Sequence, residues 1–172
     1  MRNIKLVIEY DGTAYNGWQR QADVLTIQQV VEDTLSRIVN DRVVLVASSR
    51  TDTGVHALNQ VANFRTSSKL PLRNLHLGVN SLLPSDIVVK EISEVPWEFH
   101  SQFSALGKVY RYRIFNHPVR TALERDRCWH VRKPLDLEAM RRAARHVLGT
   151  HDFNSFCASQ CEVGDRVRTV VD

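Results

Sequence analysis

The chain has 172 residues, 43% of them hydrophobic, which is enough for one domain with a core or two small lobes and argues against intrinsic disorder. Lys and Arg outnumber Asp and Glu by 23 to 19, mostly in the second half, so a polyanionic partner is favoured but not required. Three cysteines are too few for a disulfide scaffold, and the alternating N-terminus MRNIKLVIEY is neither a signal peptide nor a membrane span, so we expect a cytoplasmic protein.

The first third of the chain predicts a strand, a loop and a helix. Apolar and polar residues alternate over residues 3–10, the pattern of a half-buried strand. The segment DGTAYNGWQRQADVL follows, and its exposed Tyr15 and Trp18 make it a candidate binding loop. Thr26 is placed to cap a helix, which an apolar stripe of helical period extends to about Asn40.

The middle of the chain predicts three strands and a second helix. Residues 43–47 and 60–65 have the β-branched density of neighbouring strands, and the segment between them contains Asp52. Residues 71–83 are compatible with a helix that starts at a proline, and residues 86–92 return to a strand.

The last third begins with a loop and a predicted strand over residues 108–116, whose side chains alternate between two faces. Asp136 is placed to cap a helix over residues 137–148 that Gly149 stops. The final segment RVRTVVD begins a further strand, so we expect the chain to be a fragment of a longer protein or to need a partner.

This order of elements predicts an α+β fold, with helices on one face of a mostly antiparallel mixed sheet and the other face free for a ligand. We expect an N-terminal lobe over residues 1–105 that carries the Asp52 loop. Residues 106–172 would begin a second lobe.

A zinc site can be drawn from Cys157, Cys161 and His151, but no second cysteine pair completes it. We therefore expect ordinary thiols and no bound metal.

The segment SSRTDTGVHALNQVANF admits three interpretations of Asp52. An Asp-Thr-Gly sequence occurs in aspartic proteases, but Arg50 beside a shared-proton dyad, the helices and the basic surface argue against that class. Asp52 could instead serve only a turn in which Gly54 has a positive φ. Alternatively, Arg50 could pair with Asp52 and keep an ionised carboxylate aimed for attack on carbon.

The same segment resembles the catalytic loop of the tRNA pseudouridine synthase A family, which reads approximately G-R-T-D-x-G-V-H-A before a glutamine-bearing strand. Further blocks are similar to the family in the same order: IEYDGTAYNGWQRQ, LGVNSLLPSDI, FHSQFSALGKVYRYRIFN and VLGTHDFNSFCAS followed by RVRTV. The resemblance implies the pseudouridine synthase fold, with an RNA-binding cleft on the open face of the sheet.

The family resemblance implies an isomerase that converts uridine to pseudouridine on the 3′ side of the tRNA anticodon stem-loop, with no metal and no organic cofactor. It also implies a cytoplasmic homodimer, with one tRNA reaching across both subunits. Asp52 would be the nucleophile, attacking either C6 of the uracil or C1′ of the ribose. Arg50 would pair with it and hold the extruded nucleotide.

The remaining site residues follow from the same resemblance. Tyr110 matches the family's active-site tyrosine, which stacks on the flipped uracil, and His56 resembles a histidine near the RNA path. Arg20, Arg111 and Arg113 are candidate phosphate contacts.

The sequence departs from the family pattern at several positions. Ser48 and Ser49 replace Ala-Gly, Gln102 stands where arginine is common, and an apolar-Met-Val-Arg motif that follows RVRTV in the family has no counterpart. An RNA-binding module without chemistry, in which Asp52 serves only the turn, is therefore the alternative to an active enzyme.

Overall fold

A computed structural model describes residues 1–157 and 166–172. The chain divides into two compact units, Met1–Tyr110 and Arg111–Asp172. Both units combine helices with antiparallel strands, so the predicted α+β class is confirmed. Cys161, part of the zinc site considered above, lies outside the described residues.

The first unit is built on a four-stranded antiparallel sheet in the order β2-β3-β1-β4. Its strands are β1 (Arg2–Tyr10), β2 (Val46–Ala47), β3 (Ala57–Thr66) and β4 (Ile87–Val95). The central strand β1 pairs with β3 and β4, and Leu6 lies opposite Ala62 on one side and Ile92 on the other. Because side chains alternate along a strand, these three residues share the face that points to the core.

Two helices contribute to that core: α1 (Ile27–Val39) and α2 (Leu72–Leu82). The predicted cap of α1 is confirmed, since Thr26 Oγ1 accepts a hydrogen bond from the Gln29 backbone N–H. Asn40 ends the helix in the left-handed conformation, at the predicted position. The buried residues Ile27, Val31 and Leu35 lie along the apolar stripe of α1.

The strand predicted over residues 43–47 is mostly wrong, because only Val46 and Ala47 pair with β3. The backbone of the preceding residues is bound to side chains of α1 instead. Glu32 Oε1 accepts from Leu45 N–H at 2.9 Å, and Ser36 Oγ accepts from Val43 N–H at 2.9 Å. These bonds use backbone groups that a longer strand would have offered to a neighbour.

The far face of the sheet is partly covered at one end by residues 96–101. Asn63 Nδ2 donates to Asn3 Oδ1 at 2.9 Å, and Asn63 Oδ1 accepts from Ser101 N–H at 2.9 Å. Asn3 Nδ2 also donates to the carbonyls of Pro96 and Phe99. The RNA-binding cleft expected on this face remains a prediction.

The second unit contains two small sheets and one α-helix among its described residues. Strands β5 (Ile114–Asn116) and β6 (Trp129–Val131) are parallel, α3 spans Leu137–Arg145, and β7 (Gly149–Asp152) pairs antiparallel with β8 (Val167–Val170). Asp136 caps α3 as predicted, but the helix ends at Arg145 with His146 as its C-cap, and Gly149, with φ +97°, instead begins β7.

The strand predicted over residues 108–116 is confined to Ile114–Asn116. Alternation alone does not make a strand, because the backbone also needs a ladder of hydrogen bonds, and residues 108–113 have no partner strand in the described chain. Within the described ranges, no helix combines the length and apolarity that crossing a bilayer requires.

Candidate active site

Asp52 lies in the turn between β2 and β3, and its side chain is exposed. The Val55 N–H donates to the Asp52 carbonyl at 3.2 Å, and Gly54 has the positive φ, +78°, that the turn interpretation required. Asp52 therefore has the turn geometry and also presents its carboxylate to solvent, so the two interpretations do not exclude each other.

The strand ends hold the first part of this turn. Ser48 N–H donates to the Val61 carbonyl at 2.8 Å, and the buried Gln60 side chain donates through Nε2 to the Ser49 carbonyl at 2.5 Å. The hydroxyls of both serines lie 3.4 and 3.5 Å from Gln60 Oε1. The turn thus forms with serines in place of the family's Ala-Gly.

The loop after β1, residues 11–18, packs against the turn and forms hydrogen bonds with it. Trp18 N–H donates to the Thr51 carbonyl at 2.9 Å, and Gly54 N–H donates to the Tyr15 carbonyl at 3.3 Å. Contact is so close at Gly12 and Gly17 that a Cβ there would lie 2.0 Å from the Val55 carbonyl oxygen and 2.4 Å from that of Thr51, respectively. We call residues 11–18 the supporting loop.

The prediction that Tyr15 and Trp18 are exposed binding residues is wrong. Trp18 is 1% exposed and Tyr15 4%, and both belong to the core of the first unit. The Tyr15 hydroxyl donates to Asp86 Oδ1 at 2.8 Å, and burial together with that carboxylate raises the pKa of Tyr15. These aromatics fix the supporting loop to the sheet and are not available to stack on a base.

Tyr10 makes a further contact to the turn. Its hydroxyl lies 2.7 Å from Thr51 Oγ1, and its ring centroid lies 6.0 Å from that of Trp18. Burial raises the pKa of Tyr10, and the hydrogen bond to Thr51 opposes that rise less strongly. The hydroxyl is consequently protonated at neutral pH and can act as a hydrogen-bond donor.

The predicted ion pair between Arg50 and Asp52 is absent. Neither side chain forms an ion pair or a hydrogen bond with any residue that the structure describes, and both are exposed. Water solvates exposed charges well, so pairing two such side chains gains little free energy. The orientation of Asp52 must therefore come from the backbone of the turn.

His56, at the end of the turn, contacts the start of the supporting loop. The Gly12 N–H donates to His56 Nδ1 at 3.1 Å, and the same nitrogen lies 3.0 Å from Asp11 Oδ1. When Nδ1 is protonated it donates to Asp11 as an ion pair and no longer accepts from Gly12. In the structure His56 thus joins two loops and is half-buried.

Arg20 and Arg113 are engaged in intramolecular ion pairs. Arg20 Nη1 lies 3.1 Å from Glu32 Oε2 and 2.9 Å from Asp33 Oδ1, and both partners raise the pKa of Arg20. Arg113, in the second unit, pairs with Glu124 at 2.8 Å. A phosphate at either arginine would have to compete with these carboxylates.

Tyr110 and Arg111 lie at the boundary between the two units and are both exposed. Tyr110 makes no hydrogen bond to the Asp52 turn in the described chain. The structure therefore brings together Asp52, Arg50 and His56 on one turn, while Arg20 lies against α1. Arg111 and Arg113 belong to the second unit.

The sequence interpretation missed the residues that hold the turn, namely Tyr10, Gly12, Gly17 and Gln60. The two glycines on either side of Tyr15 in DGTAYNGW were a usable signal, since glycine permits close approach of two backbones. No group of three or more His, Cys, Asp or Glu side chains in the described ranges is arranged to hold a metal ion.

Comparison with known proteins identifies the family to which this chain is similar. A family model described as tRNA pseudouridine synthase matches residues 6–104 and 143–172, a range that includes the turn, the supporting loop and all four strands of the first sheet except the start of β1.

Curated relatives agree with this match. The chain is 45% identical over 172 residues to tRNA pseudouridine synthase A of Thermoanaerobacter sp. (strain X514), covering 100% of the chain and 70% of the relative. It is 48% identical over 172 residues to the protein of that name from Acetivibrio thermocellus, again covering 100% and 70%, and 49% identical over 168 residues to that of Geotalea daltonii, covering 98% and 69%.

Identity at this level over the whole chain, together with a family model that covers the Asp52 turn, assigns the protein: the chain belongs to the tRNA pseudouridine synthase A family.

Proposed function

We propose that this protein isomerises uridine to pseudouridine in the anticodon stem-loop of tRNA. The observation that carries the proposal is the exposed Asp52 in a chain of the tRNA pseudouridine synthase A family. Its turn accepts hydrogen bonds from Trp18 N–H and Gln60 Nε2 and donates one to the Tyr15 carbonyl. An exposed carboxylate on a rigid support meets the geometric need of a nucleophile that must reach an extruded nucleotide.

Asp52 is the nucleophile, and it attacks either C6 of the uracil or C1′ of the ribose. By either route the C1′–N1 bond breaks, the base rotates, and a C1′–C5 bond forms. C5 then loses its proton, N1 gains one, and the carboxylate is released unchanged. The product has the same composition as the substrate, so the reaction needs neither an oxidant nor a second substrate.

Arg50 and Tyr110 complete the catalytic set. The guanidinium of Arg50 is exposed on the same turn as Asp52, where it can bind the backbone of an extruded nucleotide. Tyr110, 69% exposed, offers a ring for stacking on the flipped uracil and a hydroxyl for proton transfer from C5.

The tRNA backbone is bound mainly through charge. Arg111 and Arg50 are exposed and are the stronger candidates for phosphate contacts, and His56 lies beside the RNA path. Arg20 and Arg113 are weaker candidates, because their carboxylate partners would have to be displaced. Recognition through backbone and shape suits an enzyme that modifies several adjacent uridines.

The protein acts as a cytoplasmic homodimer in which one tRNA reaches across both subunits. It needs no metal and no organic cofactor. The support for this part of the proposal is the resemblance to the family set out above.

The test is incubation of the protein with an unmodified tRNA transcript, followed by carbodiimide treatment and primer extension to map pseudouridine. We expect new stops at uridines on the 3′ side of the anticodon stem-loop. A transcript with cytidine at those positions is the matched control and should give none. Binding of the tRNA without any new stop would refute the enzyme and support the RNA-binding module.

A further inference from the structure

Arg50 and Asp52 flank Thr51, which is held at both its backbone and its side chain. The Thr51 carbonyl accepts from Trp18 N–H at 2.9 Å, and Thr51 Oγ1 lies 2.7 Å from the Tyr10 hydroxyl. The two flanking side chains have no partners among the residues that the structure describes. Thr51 is therefore the point at which the direction of both can be fixed.

The exposure of the three residues fits this arrangement. Arg50 and Asp52 are exposed, whereas Thr51 between them is half-buried. Both contacts hold Thr51 against the first unit, while its two neighbours face solvent. Holding Thr51 inward thus turns Arg50 and Asp52 outward together, towards the side where a substrate would approach.

Tyr10 is suited to be the fixed end of this contact. It is the last residue of β1, is 2% exposed, and packs against the buried ring of Trp18. The pairing of β1 with β3 shifts register between Ile8 and Tyr10, which turns the end of the strand. A buried tyrosine on the central strand has little freedom, so its hydroxyl is a rigid reference for the loop.

We propose that Tyr10 is a positioning residue, which orients Asp52 and Arg50 by holding the Thr51 hydroxyl. The kinetic consequence rests on the proposed function, while the effect on the loop does not. Because Tyr10 acts through Thr51, its loss lowers the rate of the chemical step more than it lowers the affinity for tRNA.

The principal variant is Tyr10→Phe, which keeps the buried ring and removes only the hydroxyl. We expect kcat for pseudouridine formation to fall about tenfold, the factor that one hydrogen bond is worth, with KM and the Kd for tRNA within about twofold of wild type. Amide exchange at Trp18 and Gly54, whose N–H groups bind the two loops together, should accelerate by about tenfold.

Val79→Ala is the matched control, since Val79 is fully buried in α2 and its truncation lowers stability without touching the turn. It should leave kcat and the exchange of Trp18 and Gly54 near wild type. Thr51→Val should lower kcat as much as Tyr10→Phe does, whereas Thr51→Ser keeps the hydroxyl and should retain wild-type kcat. The Tyr10→Phe/Thr51→Val double variant should lose no more kcat than either single variant.

Exchange at Trp18 and Gly54 that is the same in Tyr10→Phe as in wild type would overturn the inference, whether or not the protein turns over tRNA. So would a loss of kcat in Tyr10→Phe no greater than in Val79→Ala. Absence of pseudouridine from the wild-type reaction counts against the proposed function alone, and in that case the exchange comparison still decides the positioning role.

Discussion

Gly17 is, with Gly12, one of two glycines at which the supporting loop closely approaches the Asp52 turn. Its φ is +78°, and a Cβ would lie 2.4 Å from the Thr51 carbonyl oxygen. Gly54 also has φ +78°, but nothing lies within 4 Å of a Cβ built there. The two glycines thus share the same backbone requirement and differ only in the space around them.

We predict that Gly54→Ala lowers the free energy of unfolding by about 1–2 kcal/mol, the cost of a left-handed backbone for alanine. Gly17→Ala should lower it by a further 1–3 kcal/mol or so, because the methyl group must also push Thr51 away. Urea unfolding of both variants measures the difference. Equal losses in the two variants would show that the supporting loop does not pack on the turn as described.

Residue-level prediction from the sequence succeeded where the signal was local. The Asp-x-Gly spacing predicted a positive φ at Gly54, and the structure confirms it. The pairing of Arg50 with Asp52 was also inferred from spacing and is absent, because exposed side chains gain too little free energy to hold one geometry. The burial of Tyr15 and Trp18 depended on tertiary packing that a polar loop sequence does not reveal.

At the scale of elements, the contact between α1 and the segment before β2 depends on one buried carboxylate. Glu32 is 4% exposed, and its oxygens accept from Gln28 Nε2 at 2.8 Å, Leu45 N–H at 2.9 Å and Arg20 Nη1 at 3.1 Å. A carboxylate with this many donors is well compensated for its burial.

In Glu32→Gln the side-chain NH2 group replaces one carboxylate oxygen, so it would face at least one N–H group that previously donated to Glu32. We predict that Glu32→Gln lowers the free energy of unfolding by about 2–3 kcal/mol, as expected for a buried charged group that loses its partners. Asp33→Asn is the matched control: Asp33 binds the same Arg20 at 2.9 Å but is 57% exposed, so it should cost under about 0.5 kcal/mol. Urea unfolding compares them, and a cost for Glu32→Gln no larger than for Asp33→Asn would contradict this role.

Elements with a complete local signal were predicted well. The alternation of β1 and the cap and stripe of α1 are properties of the segments themselves, and both elements were confirmed. Residues 43–45 and 108–113 carry equally good strand patterns but do not form strands. Side chains of α1 bind the backbone of residues 43–45, and residues 108–113 have no partner strand in the described chain. Neither circumstance can be predicted from the segment's own sequence.

At the scale of the whole molecule, the two units differ in how much they bury. Every buried hydrophobic residue of the described chain, from Ile4 to Val89, lies in the first unit. The described residues of the second unit are all at least partly exposed. Because apolar burial is the dominant stabilising contribution, the first unit should carry most of the stability.

We predict that limited digestion with thermolysin cuts first between residues 111 and 172 and leaves a resistant fragment close to residues 1–110. Mass spectrometry of the products identifies the cuts. The fragment should retain a cooperative urea transition, since its core is intact. An initial cut within β1, β3 or β4 would contradict this division of stability.

The central claim is that the Asp52 carboxylate attacks the nucleotide, and the most direct measurement is single-turnover pseudouridine formation by Asp52→Asn with saturating enzyme. Asp23→Asn is the control, because Asp23 is another exposed loop carboxylate whose positive φ asparagine tolerates. The nucleophile role of Asp52 predicts a wild-type rate for Asp23→Asn, whereas Asp52→Asn should bind tRNA and form no detectable product. Product at the wild-type rate from Asp52→Asn would contradict it.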